Sequence, residues 1–188
     1  TKYALVIGAE KLSSIINWKD RSTCVLFGDG AGSVIISRAD APGILDFKLS
    51  AEGSFTEMLN APGYIHQGSI IGDPFIKMDG KGVFKKAVDV LYYDALSVLN
   101  ELNLSISDID WYVPHQANIR IIRMVGKKLG FSPNQIIETV NKHANTSAAS
   151  VPLALDSAIS DGRIKSGDRV LLQGVGGGFT WGSLVLIV

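Results

Sequence analysis

Cysteine is nearly absent from this sequence of 188 residues; Cys24 is the single one. No internal disulfide can form, and such a chain suits a reducing compartment. An excess of either charge is lacking too. Eighteen basic and 18 acidic residues give a formal net charge of zero, so no global field draws the chain to nucleic acid. No apolar run approaches a membrane span in length, and no secretory signal pattern opens the chain. Potential ligands nowhere fall at metal-binding spacing. Both glycine clusters lack a lysine-serine/threonine ending and precede strand patterns, which excludes a P-loop and a Rossmann phosphate cradle.

What is present fits one compact α/β protein: 46% hydrophobic residues and 20 glycines. Apolar runs bounded by glycine predict strands at Ala4–Gly8, Thr23–Phe27, Ser33–Ser37 and Ile44–Leu49. Ser54–Asp79 reads as irregular with short extended pieces, and helical spacing runs from Gly82 to Leu102. Trp111–Val113 reads as a strand, Ala117–Leu129 as a helix ended by Gly130, and Ser150–Asp161 as a helix followed by Gly162. Arg169–Leu172 and Ser183–Val188 are the closing strands. The strand-turn-strand plan from Cys24 to Ile36 echoes that from Val170 to Ile187. Two duplicated halves would produce this echo, and so would two unrelated glycine hairpins.

Two segments concentrate the chemistry. Val113-Pro114-His115-Gln116-Ala117-Asn118 places a histidine where an apolar run passes into a helix, and His143-Ala144-Asn145-Thr146-Ser147-Ala148-Ala149-Ser150 places a carboxamide at a similar junction. Singly, His115 reads as a structural histidine and Asn145 as a helix cap. Together, two donors at strand ends suit an enolate or tetrahedral oxyanion. No nucleophile accompanies them. Cys24 reads as an inert strand residue, buried away from any helix N-terminus, and His66 and His143 as loop residues without partners. Beyond His115, the basic residues Arg120, Arg123 and Lys127 share a helix face, with Lys128 at its edge. Such a stripe is either a solvated surface or a docking face for an acidic partner.

At these residues the chain resembles the β-ketoacyl-acyl carrier protein synthase III family of thiolase-like condensing enzymes. The resemblance is carried, in the family's order, by Asp20-Arg21 with Phe27-Gly-Asp-Gly-Ala-Gly32, then Gly80 to Lys86, Val113–Arg120, Asn145–Pro152 and Gly176–Gly182. It implies a thiolase-like α/β fold, two duplicated halves stacked as an αβαβα sandwich, and a cytoplasmic homodimer. Residues 1–40 would end the first half and 41–188 would form the second. It also implies a Cys-His-Asn triad in which His115 and Asn145 match two members. The family's cysteine lies upstream of the opening strand, so this chain alone is expected to be inactive. By the same resemblance, Gly177 N–H is an oxyanion donor. Arg21, Gly80, Phe84 and Asn118 line the coenzyme A and phosphopantetheine channel, while Arg120, Arg123, Lys127 and Lys128 meet acyl carrier protein. The implied substrates are acetyl-coenzyme A and malonyl-acyl carrier protein, with no separate cofactor, nucleic acid or membrane. A polyketide- or quinolone-type enzyme using coenzyme A thioesters throughout, or a non-catalytic half-site subunit, would keep the same residues.

Overall fold

The computed structural model describes residues 2–41 and 43–188. Thr1 and Pro42, one in each range of the expected division, lie outside the described residues. The elements in chain order are β1 (Tyr3–Glu10), β2 (Gly30–Ser37), β3 (Ile44–Ala51), β4 (Leu59–Asn60), β5 (Tyr64–His66), β6 (Ser69–Ile71), β7 (Lys77–Met78) and α1 (Gly80–Glu101). They continue with β8 (Trp111–Pro114), α2 (Ile119–Leu129), α3 (Val140–His143), α4 (Ser150–Ser160), β9 (Arg169–Gly176) and β10 (Thr180–Ile187).

The main sheet has the order β3-β10-β9-β8, with β8 parallel to β9 and the other neighbours antiparallel. Successive side chains alternate between its faces. Tyr112, Leu171 and Val185 join the core made with α1 and α2, whereas Val113, Val170 and Leu172 pack with Ala154 and Ala158 of α4. On its far side α4 meets the antiparallel pair β1-β2. The order is therefore helices, sheet, helix, sheet.

Glycine lets the second sheet approach the turn before α4. Gly8 and Gly32 are cross-strand partners. A Cβ on Gly8 would lie 2.3 Å from the Ala148 carbonyl oxygen, and one on Gly32 would lie 3.0 Å from the Pro152 ring. The turn containing Asn145 is thereby seated on β1-β2.

The helix ends follow their local chemistry. Asp79 caps α1 by accepting from the Lys81 and Gly82 N–H groups at 3.1 Å each. Asn118 caps α2, which begins at Ile119 rather than Ala117, and Gly130 closes it in the left-handed region with φ 98°. The Gly176-Gly177-Gly178 cluster turns β9 into β10, and residues 54–79 hold short strand pairs and most of a 3-10 helix, Gly53–Met58.

One predicted strand is absent. Thr23–Phe27 is a run of turns ending in a bridge at Phe27. The Asp20 carboxylate accepts from Ser22 N–H, Ser22 Oγ–H and Thr23 Oγ1–H at 2.9, 2.6 and 2.9 Å. Cys24 N–H then bonds to the Asp20 carbonyl at 3.0 Å. This local capture of backbone and hydroxyl groups overrides the apolar run. Cys24 is consequently half-buried in a turn and packs against the cluster of Leu12, Ile16 and Ile76. The partner of β2 is β1, so the expected strand-turn-strand segment from Cys24 to Ile36 is not a hairpin. His66 ends β5 and His143 ends α3, so neither is a loop residue.

Candidate active site

His115 follows the C-terminal end of β8, the edge strand of the main sheet. Its backbone N–H donates to the Gln173 carbonyl of β9 at 2.7 Å, extending the strand pairing by one residue. Its Nδ1 meets Ser150 Oγ at 2.5 Å. That hydroxyl also accepts the Gln116 N–H at 3.3 Å. With Nδ1 engaged by Ser150, Nε2 is the ring nitrogen left for a ligand. Burial favours the neutral imidazole, holding the pKa of His115 down at about 4.

Asn145 comes from a different direction. Its N–H bonds to the Leu26 carbonyl and its carbonyl accepts from Gly28 N–H, both at 2.9 Å, giving a strand-like bridge to the turn after Cys24. Asn145 is not the cap of the following helix, which starts at Ser150 as expected. A short 3-10 turn, Ser147–Ala149, intervenes before α4. The Asn145 Oδ1 accepts Ser147 N–H at 3.0 Å, which leaves Nδ2 as the outward donor.

Both residues line a cavity of about 650 Å³ that also touches Gly80, Phe84, Asn118 and Arg120. Of the eight expected channel and docking residues, these four line the cavity beside His115 and Asn145. Arg21 is exposed in the turn and does not border this cavity, although its neighbour Ser22 does. Gly177 borders an adjoining cavity of about 180 Å³ that shares His115 and Asn145. On another side of His115 lies an open trough of about 910 Å³, walled by Phe47, Leu49, Val151, Leu172 and Trp181.

The four basic residues of α2 are not equivalent. Arg123 holds Glu138 through two hydrogen bonds of 2.8 Å. Lys128 lies 3.3 Å from Asp89 and 4.3 Å from the centre of the Tyr92 ring. Arg120 stacks over Phe84 at 5.3 Å, a cation–π contact at the cavity mouth. Among the described residues, Arg120 and Lys127 have no carboxylate at salt-bridge distance. Two charges of the stripe are thus internally compensated.

Ser150, Gln116 and the Ser147 N–H carry the geometry without having been singled out in the sequence. They fall inside the two chemical motifs, and the available signal was a polar residue at a position surrounded by apolar ones. Among the described residues no group of three metal-ligating side chains occurs, and no helix is long and apolar enough to cross a membrane.

Comparison with known proteins identifies relatives of the chain. The sequence models of 3-oxoacyl-[acyl-carrier-protein] synthase III match residues 1–53, and those of its C-terminal part match residues 99–188. The chain is 56% identical to β-ketoacyl-[acyl-carrier-protein] synthase III of Bordetella petrii, across 97% of this chain and 56% of that protein. It is 55% identical to the synthase III of a Neisseria meningitidis serogroup C strain, across 98% of this chain and 58% of that one. The crystal structure of the Aquifex aeolicus synthase III superposes with a TM-score of 0.93 at 41% identity, covering 100% of this chain and 58% of that one. The Thermus thermophilus structure gives 0.91 at 39%, covering 100% and 59%. The chain therefore spans somewhat more than half the length of these relatives. With a thiolase-like α/β fold and sequence matches along both parts of its length, it belongs to the 3-oxoacyl-[acyl-carrier-protein] synthase III family.

Proposed function

We propose that this chain supplies the histidine–asparagine part of a decarboxylative condensing site that starts fatty acid synthesis. The observation that supports it is the pairing of His115 and Asn145 on one cavity, each with its second polar atom already engaged. Ser150 occupies Nδ1 of His115, and Ser147 N–H occupies Oδ1 of Asn145. One N–H donor from each is left for a substrate oxygen.

In this reading an acyl group, usually acetyl, passes from coenzyme A to a cysteine thiolate contributed from outside this chain. Malonyl-acyl carrier protein then enters along the cavity bordered by Gly80, Phe84 and Asn118. As carbon dioxide leaves, the electrons of the broken C–C bond move onto the thioester oxygen. His115 Nε2–H and Asn145 Nδ2–H stabilise that enolate, and one such donor contributes on the order of 100-fold or more in rate. The enolate carbon attacks the acyl thioester, whose oxyanion takes the Gly177 N–H, and the cysteine thiolate leaves. No prosthetic cofactor is required, since the phosphopantetheine arms belong to the substrates.

The apolar trough beside His115 and the exposed face of β1-β2, with Leu5 and Ile7 about 60% open, are where we place the rest of a cytoplasmic homodimeric enzyme. Residues 1–40 and 41–188 then belong to its first and second halves. Arg21 is assigned to the channel entrance, and the α2 stripe to carrier-protein docking. The chain alone completes no cycle, because Cys24 borders none of the three cavities at His115.

The test is to incubate this chain, and separately the full-length polypeptide, with labelled acetyl-coenzyme A and malonyl-acyl carrier protein. Acylation upstream of Thr1 and condensation by the longer protein alone are expected. Acylated Cys24 followed by turnover would overturn the reading. Faster extension with malonyl-coenzyme A than with malonyl-acyl carrier protein would instead indicate the polyketide- or quinolone-type alternative.

A further inference from the structure

Gln116 follows the catalytic histidine of the proposed site and is completely buried, at 0% exposure. Its carboxamide uses every hydrogen-bonding position it has. Nε2 donates to the Pro114 carbonyl at 2.8 Å and to the Ile137 carbonyl at 3.0 Å. Oε1 accepts from Thr139 N–H at 2.7 Å and Val140 N–H at 3.0 Å. Its backbone N–H meets Ser150 Oγ, the hydroxyl that holds His115 Nδ1. One residue therefore bonds to the end of β8 carrying His115, to the start of α3 leading to Asn145, and to the serine that orients the imidazole.

A carboxamide with two donors and two acceptors engaged has one orientation and nearly one distance to each partner. Ordinary packing would join these segments more loosely, since apolar contacts are not directional. Breaking one member of such a network leaves buried polar groups unpaired, so the segments must shift to recover partners. The expected enolate oxygen needs both donors at hydrogen-bond distance together. Misplacement by about 1 Å costs on the order of 100-fold in rate.

We propose that Gln116 is a positioning residue for decarboxylation: its saturated carboxamide sets the separation of the His115 and Asn145 donors by tying both of their segments to one rigid group. The proposal rests on the function assigned above. Capping α3 alone would also satisfy Thr139 and Val140, but it needs neither the bonds to Pro114 and Ile137 nor the link to Ser150.

The experiment compares full-length wild type with Gln116→Glu, reading cysteine acylation, kcat and KM for malonyl-acyl carrier protein decarboxylation, and melting temperature. Glutamate keeps both acceptor bonds but turns lone pairs toward the Pro114 and Ile137 carbonyls. The expected result is a kcat lowered by about 10- to 100-fold, with acylation and KM unchanged. The deficit relative to wild type narrows as the pH is lowered, because protonated glutamate restores one donor. If Gln116→Glu does not fold, Gln116→Asn, uncharged and one methylene shorter, is read for the same kcat–KM split. Undiminished kcat overturns the proposal, as do parallel losses of acylation and decarboxylation, or two variants that both fail to fold. A wild type that is acylated but cannot decarboxylate malonyl-acyl carrier protein defeats the function itself and this proposal with it. An active wild type beside an undiminished variant defeats only the latter.

Discussion

Ser150 Oγ and His115 Nδ1 share a hydrogen bond across 2.5 Å, joining the first residue of α4 to the end of β8. With the hydroxyl as donor, as the proposed site requires, Nε2 carries the proton that faces the cavity. Ser150→Ala removes the bond and frees the tautomer. Decarboxylation is expected to fall by about tenfold, while Ser150→Thr, which keeps the hydroxyl, retains more activity; a lost hydrogen bond contributes about 1 kcal/mol. Equal activity of the alanine and threonine variants would remove the tautomer argument.

His115→Ala and Asn145→Ala, each made in the full-length protein, are expected to lower malonyl decarboxylation by on the order of 100-fold or more. Acylation by acetyl-coenzyme A stays largely intact, because neither donor is required to accept the acyl group in the proposed scheme. The two half-reactions are measured separately, by carbon dioxide release and by mass of the acylated protein.

The depressed pKa of His115 also predicts an acid-sensitive fold. An unfolded histidine titrates near 6.5 and the folded one at about 4. Below pH 6.5 the unfolded state binds the extra proton first, so stability is full above that pH and is lost as the pH falls towards 4. The loss attributable to this group is at most about 3 kcal/mol. Urea titrations of wild type and His115→Gln at pH 7 and 4.5 give the value. A pH dependence unaltered by the substitution would assign acid sensitivity elsewhere.

Charge reversal on α2 separates paired from unpaired cations. Arg120→Glu and Lys127→Glu are expected to raise KM for malonyl-acyl carrier protein more than that for acetyl-coenzyme A, with the difference shrinking at high salt. Arg123→Gln is expected to do less, because Glu138 already compensates that charge. Steady-state kinetics at two ionic strengths distinguish these outcomes, and identical effects from all three would make the stripe a solvated face.

Gly8→Ala tests the seat beneath the Asn145 turn. Its new Cβ meets backbone at 2.3 Å, whereas nothing lies within 4 Å of a Cβ on Gly53. Destabilisation of about 1–3 kcal/mol is expected at Gly8, with little change for Gly53→Ala, measured by denaturant midpoint.

The sequence alone determined the elements whose cause is local. The helical spacing of α1, the closing glycine Gly130 of α2, and the glycine turn between β9 and β10 were all legible in their own residues. So was the strand-end placement of His115, whereas Asn145, expected at a strand end too, follows the short helix α3 and makes only an isolated bridge to Phe27. Only the tertiary structure decided what those segments bond to. Cys24 to Phe27 has the composition of a strand, but the Asp20 carboxylate closes it into turns. Ser150 and Gln116 are ordinary polar residues in sequence, yet they hold the imidazole and link both motifs because they lie far apart along the chain and adjacent in space. The α2 stripe shows four cations in sequence, while Glu138 and Asp89 arrive from other elements to pair two of them. Periodicity and capping act over a few residues, whereas hydrogen-bond partners and charge compensation depend on which distant segments the packed core brings together.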